Sequence, residues 1–330
     1  MELRRLGASG LAVPWLGLGA ATWGLDTDEH EAAEQLRDFL DAGGAFIETG
    51  DSYGQGASEV VLGRLLAGRF PRGDVVIAVK TGGHSPYTHS TVGLLDIPAD
   101  LSRRTLLDAL DASLRRIGVD HIDVWHIDGA DAGTPMEETL SALDIAVSSG
   151  RTRYVGVANF SAWRLAKAAA WQAAWPGRVR LVSASAEYSL LCRGVERDVL
   201  PAALDAEISL VAWSALGRGV LTGKYRTGIP ADSRAASDHL ADFVQPYLDA
   251  RAAGIVNAVC TAAEGLGVAP LGVALAWIRD RPGVAVALVG SRTAAQLRGV
   301  LAECEVKLPP EIREALDEVS DAEDSNAPIR

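Results

Sequence analysis

Eight short apolar runs, spaced through the chain with helical patterns between them, constrain the fold more than any other feature. They are "WLGLG", "AFIE", "DVVIAVK", "HIDVWHID", "RYVGVAN", "RLVSASAEY", "ISLVAWSAL" and "VAVALVG". A strand buried on one face alternates apolar with polar residues. Continuous runs belong to strands covered on both faces, as in a parallel sheet whose crossover helices lie over it. A chain of 330 residues, 48% of them hydrophobic, accommodates two small domains or one large barrel. No linker or composition shift marks a boundary, and nothing repeats beyond the βα unit. The pattern therefore predicts one α/β domain over residues 1–330, a (β/α)8 TIM barrel.

The intervening segments carry helix punctuation. "LSRRTLLDALDASLRRIG" places Ser102 at an N-cap, Leu106, Leu110, Leu114 and Ile117 on one face, and Gly118 at the C-terminal stop. "TPMEE" reads as a capping box, with Thr134 at N-cap, Pro135 at N1 and Glu137 at N3. Ahead of the first strand, "LGASGLAV" predicts a β-hairpin that plugs the bottom of the barrel. The glycine-rich, polar stretch 214–246 predicts a long loop over the top face.

Charge and cysteine usage narrow the partners. A net charge of −12 argues against nucleic acid and against an anionic membrane surface. Cys192, Cys260 and Cys304 form no CxxC spacing, which predicts a reduced, cytoplasmic protein without structural zinc. The apolar N-terminal run is broken by Pro14 and glycines and is too short to span a bilayer. The tail "DAEDSNAPIR" reads as frayed. Oligomeric state is not legible.

In a barrel of this kind, chemistry sits where strands end. Those positions hold Glu48 and Tyr53, Lys80, Asp128, Asn159, Ser185, Trp213 with Ser214, and Gly290, Ser291 and Arg292. Lysine is scarce, standing only at 80, 167, 224 and 307, so a lysine at such an end is conspicuous. An ammonium beside a phenol favours phenolate and eases proton release, and a carboxylate holds the lysine charged. The same three residues also describe a plain rim ion pair with a tyrosine beside it.

The segments "GAFIETGDSYGQGASEVVLGRLL", "DVVIAVKTG", "LSRRTLLDALDASLRRIGVDHIDVWHID", "YVGVANFS", "VAWSALGRGVLTGKY" and "ALAWIRDRPGVAVALVGSRTAAQL" stand in this order. From about residue 3 to 320 the chain resembles the aldo-keto reductases. The resemblance implies a (β/α)8 barrel, bound NADPH and hydride transfer to a small-molecule aldehyde or ketone. The family's catalytic tyrosine and lysine fall on Tyr53 and Lys80. Its aspartate falls on Glu48, with Asp51 set aside as a loop position, and its histidine falls on Asp128. The glutamine that supports the nicotinamide amide falls on Ser185, whereas its asparagine partner is kept as Asn159. Trp213 stands where an aromatic stacks on the nicotinamide. The resemblance also implies cofactor contacts from Ser214, Leu216, Gly217, Gly290, Ser291 and Gln296, and an adenosine 2′-phosphate contact from Arg292, at a helix N-terminus suited to anions. The glutamate–asparagine pair that grips adenine falls on Gly299 and Val300.

Glu48 reaches one methylene further than aspartate and can still pair with Lys80. Asp128 is a larger departure. A neutral imidazole donates toward a forming oxyanion, whereas an ionised carboxylate repels it and a protonated one can donate. The steroid double-bond reductases of the family are similar in placing an acid there, so a conjugated enone joins the carbonyl as a candidate substrate. The potassium-channel β-subunits imply an alternative, a barrel that binds NADPH as a sensor or interaction module with weak or no turnover. His126, two residues before Asp128, reads as a buried, hydrogen-bonded histidine rather than a catalytic one. "GLGAAT" lacks the third glycine of a dinucleotide fingerprint and does not open into a helix. His84, Tyr87 and His89 read as a solvated loop near the mouth, and no metal-binding spacing is present.

Overall fold

A computed structural model describes residues 1–82, 100–129, 131, 133–231, 233–237 and 240–321. The chain opens with an antiparallel hairpin, β1 (Leu3–Arg5) and β2 (Ala12–Pro14). The βα series follows: β3 (Leu16–Gly19), α1 (Glu29–Asp41), β4 (Phe46–Gly50), α2 (Ala57–Gly68), β5 (Val76–Thr81), α3 (Arg103–Ile117), β6 (Ile122–Asp128) and α4 (Met136–Ser148). It continues with β7 (Thr152–Ala158), α5 (Ala162–Ala173), β8 (Leu181–Glu187), α6 (Val199–Asp205) and β9 (Ser209–Trp213). A long connection holds the single turn α7 (Ala241–Val244), then α8 (Ala250–Leu266) and α9 (Pro270–Arg279). The chain returns as β10 (Val284–Val289) and closes with α10 (Ala294–Glu303) and α11 (Pro310–Val319). Strands β3 to β10 pair in parallel and close into a barrel, β10 bonding to both β3 and β9. Each of the eight apolar runs supplies one barrel strand.

Two apolar layers explain why those runs do not alternate. One face of each strand packs under the helices, as with Ile47, Ile77, Trp125 and Ile127. The other fills the barrel with Phe46, Ala78, Val124, Val211, Val286 and Leu288. Fully burying one such side chain stabilises the fold by roughly 1.5–3 kcal/mol. The hairpin closes the bottom as expected. Its Leu6 and Val13 join the inner layer, and the amides of Gly7 and Ala8 donate to Ser209 Oγ at 2.8 Å and Glu207 O at 3.0 Å. Gly7 has φ +58°, and a Cβ there would lie 2.4 Å from Val182 O, so a side chain would lift the plug.

α3 keeps its predicted caps: Ser102 Oγ accepts from the Thr105 amide at 3.4 Å, and Gly118 stops the helix at φ +74°. The capping box at α4 does not form. Pro135 is the N-cap and has no side-chain bond, while the Thr134 hydroxyl donates to Asp131 Oδ2 at 2.5 Å. That charge-assisted bond holds the hydroxyl on the Asp131 carboxylate, and no amide of the first turn donates to it. Among the described residues no single helix is long and apolar enough to cross a membrane. The loop holding His84, Tyr87 and His89 lies outside the described residues.

Candidate active site

Side chains two apart on a strand share a face. Phe46, Ala78 and Val124 point into the barrel, so Glu48, Lys80, His126 and Asp128 do too, nearer the C-terminal rim. Parallel register sets Gly50 beside Lys80, Lys80 beside His126, and Asp128 beside Ala158. The turn after β4 then brings Tyr53 back over the rim. Thr49 and Ser58 hydroxyls meet at 2.8 Å, and Ser58 Oγ donates to Ala20 O at 2.7 Å, fixing both ends of that turn.

The cluster centres on one oxygen. Glu48 Oε1 accepts from the Tyr53 hydroxyl at 3.1 Å and lies 3.0 Å from Lys80 Nζ. Glu48 is 2% exposed and Lys80 5%. A buried ion pair is tolerated only when its geometry is good, since desolvation opposes it. Here the carboxylate touches ammonium and phenol together. Lys80 Nζ also lies 5.9 Å from the centre of the Trp213 ring.

On the opposite side Asn159 takes the left-handed conformation at φ +57°, which asparagine tolerates better than most residues. Its amide bridges two neighbours: Nδ2 donates to Asp128 Oδ1 at 2.6 Å, and Oδ1 accepts from Trp213 Nε1 at 3.1 Å. One layer deeper, His126 Nε2 and Ser183 Oγ meet at 2.8 Å, while His126 Nδ1 has no partner among the described residues. Burial, aided by the Lys80 charge, holds His126 down to about 3, so its ring is neutral at physiological pH.

Glu48, Tyr53, Lys80, Asp128, Asn159, Trp213, Ser214 and Leu216 line a single cavity of about 490 Å3. Its far end is formed by Gly290, Ser291, Arg292 and Gln296 at the N-terminus of α10. Gln296 Oε1 accepts the Arg292 amide at 3.0 Å, and Thr293 caps the helix by accepting from the Gln296 amide. Arg292 forms no ion pair among the described residues. Two other predicted residues are elsewhere. Ser185 is 1% exposed, its Oγ has no partner among the described residues, and it is not one of the cavity's lining residues. Gly217 is buried and not a lining residue either; a Cβ there would lie 2.6 Å from Leu191 Cδ1.

Sequence reasoning missed several wall residues. Lys224, Arg234, Arg218 and Phe243 all reach the cavity from the β9–α8 connection. The scarcity of lysine that drew attention to Lys80 applied equally to Lys224. Arg218 fastens this connection to the rim: Nε and Nη2 bond Glu187 at 2.8 and 2.6 Å, and the guanidinium stacks 4.0 Å from the Phe243 ring. Behind the Tyr53 turn, Arg116 Nε bonds Glu59 at 2.5 Å. Asp51 is pushed up to about 6 by burial and by the Glu59 charge.

The sequence profile of the Aldo/keto reductase family matches residues 15–321. The chain belongs to that family. Among its relatives, an uncharacterized oxidoreductase of Bacillus subtilis, YrpG, is 33% identical over 97% of this chain and 96% of its own length. A probable voltage-gated potassium channel subunit beta of rice is 33% identical over 90% of this chain and 89% of its own. The L-glyceraldehyde 3-phosphate reductase of Escherichia coli K12 is 31% identical over 90% and 86%. An aldo/keto reductase barrel with oxidoreductase relatives supports a general reductase activity on small molecules.

Proposed function

We propose that this protein is an NADPH-dependent oxidoreductase that reduces a small carbonyl or a conjugated enone, with Tyr53 as proton donor. The observation that carries this reading is the shared Glu48 oxygen, which holds Tyr53 and Lys80 together in the mouth of the cavity. The ammonium favours the phenolate left after proton release, and Glu48 keeps the ammonium charged and in place. Tyr53 then turns its hydroxyl from Glu48 Oε1 to the substrate oxygen, while Lys80 remains on the carboxylate.

The residues present fit a dinucleotide phosphate. The cavity runs from the tyrosine cluster to a helix N-terminus, and Arg292, Arg234 and Lys224 put three cationic side chains in its wall. Trp213 offers a stacking face and Asn159 an amide beside it. Gly299 and Val300 stand where the family's adenine-gripping pair would, so affinity rests mainly on phosphate contacts. When bound, NADPH supplies the hydride. The protein's residues orient the ring, exclude water and deliver the proton.

Asp128 selects the substrate. Its carboxylate stands where a neutral donor would face a forming oxyanion, and Asn159 holds one of its oxygens. Ionised, it slows reduction of unactivated carbonyls; protonated, it donates to an enone oxygen. Tyr53→Phe lowers turnover by roughly 10²–10⁴-fold and leaves NADPH binding nearly intact. Near-normal turnover in that variant removes Tyr53 from the chemistry. A second reading, a nucleotide-binding module with little turnover, is favoured by the Asn159 amide, which Asp128 and Trp213 already occupy. It predicts NADPH binding with no turnover on aldehyde, ketone or enone panels.

A further inference from the structure

Far from the cavity, the outer face of α5 breaks the usual pattern of a barrel helix. Leu165, Ala168 and Gln172 face the core, but the solvent side carries Trp163, Ala166, Lys167, Ala170, Trp171 and Ala173. Trp175 and Pro176 continue it just past the helix end, and Leu204 on α6 is also exposed. Trp163 is 62% exposed, Trp171 36% and Trp175 69%. Water-facing helix positions normally hold charged residues, and Lys167 is the single charge among the six on this face.

Two of the three indoles are also held in place. The Arg164 guanidinium lies between the Phe160 and Trp163 rings, at 5.2 and 5.5 Å from their centres. Arg178 stacks 4.2 Å from Trp171 and donates to the Trp171 carbonyl at 2.8 Å. Rigid aromatic anchors lose little freedom on docking and dominate interface energetics.

We propose that this face is the contact surface of a homodimer, with α5 of one copy packed against α5 of another across a two-fold axis. Large and small residues share the face, so each copy's indoles have the other copy's alanines to fill, the self-complementarity an isologous contact requires. Area agrees. At up to ~250 Å2 per indole residue, the three tryptophans expose roughly 400 Å2. That is half of the ~800 Å2 per partner in a standard interface, and the alanines, Pro176 and Leu204 extend it. Charge agrees as well. Lys167 pairs with Glu137 of α4 at 2.9 Å, giving each copy one cation and one anion beside the patch to exchange across the axis. A net charge of −12 disfavours the anionic-membrane alternative; it also sets the two copies against each other, so the dimer tightens as salt screens that repulsion.

The test is sedimentation velocity and light scattering on the full chain across a dilution series into the micromolar range. The wild type runs at twice the 34.7 kDa chain mass. Trp163→Glu and Trp175→Glu raise the dimer Kd roughly thirtyfold or more, with an unchanged circular dichroism spectrum. Ala170→Arg fills a gap instead of removing an anchor, and gives the same result should a tryptophan variant misfold. A wild type that stays monomeric at the highest concentration overturns the proposal, even if it binds anionic vesicles through these tryptophans. So does a dimer that survives all three substitutions.

Discussion

The two halves of the barrel rim differ in how their polar groups are satisfied. On the β4–β5 side, Lys80 and Tyr53 both meet one carboxylate oxygen, Glu48 Oε1, while Glu48 Oε2 has no partner among the described residues. On the β6–β8 side, Asp128 and Asn159 are bonded to each other without a counter-charge, and beneath them His126 Nδ1 and Ser185 Oγ have no partner among the described residues. The first half pairs its charges without a ligand, so the acid can be a methylene longer than aspartate and the charges still meet. The second half has no such internal charge pair. In the proposed reading, proton delivery belongs to the first side and substrate choice to the second.

The largest effect that would break this comparison is on stability. Glu48→Gln leaves a buried lysine without its counter-charge, a loss of about 3–5 kcal/mol in denaturant unfolding. An unchanged unfolding free energy shows that Lys80 is satisfied by other groups, and that this half does not pair its charges through Glu48. A smaller effect belongs to the far end of the cavity. Arg292→Ala weakens NADPH by roughly 1.5–3 kcal/mol and leaves NADH unchanged, read by tryptophan fluorescence titration. Equal wild-type affinity for the two cofactors contradicts the phosphate assignment.

The last effect is a slope with pH. His126 is neutral in the fold because burial depresses it to about 3, whereas the unfolded chain takes up a proton below about 6.5. Stability on this account is lost as pH falls from about 6.5 toward 3. Asp51 has the opposite sign: raised to about 6, it favours the fold as pH falls from about 6 to 3.8. His126→Gln removes the acid-side loss and leaves the Asp51 contribution, which unfolding curves at several pH values separate. A variant with the wild-type slope places the titrating group elsewhere.

Much of this was legible in the sequence, for physical reasons. Continuous apolar runs require cover on both faces, and that requirement alone orders eight strands. Glu48, Tyr53, Lys80, Asp128 and Asn159 could be placed because strand ends define the rim. Ser185 and Gly217 do not line the cavity, because reach into it depends on side-chain length and backing contacts, which spacing does not encode. Thr134 was misread because its competitor, Asp131, binds through a tertiary turn. Arg218, Lys224 and Arg234 lie on a connection without periodicity, so only the fold brings them to the wall.

The central claim is that Asp128, set beside an intact proton-delivery cluster, decides which oxidised group is reduced. It is tested most directly by turnover of wild type and Asp128→His on a simple aldehyde and an enone at neutral pH, with NADPH saturating. The account predicts slow aldehyde reduction by the wild type. In Asp128→His, aldehyde reduction rises relative to enone reduction, by at most the roughly 2.7–4 kcal/mol of one oxyanion donor. Brisk wild-type aldehyde reduction at neutral pH that Asp128→His only slows would contradict it.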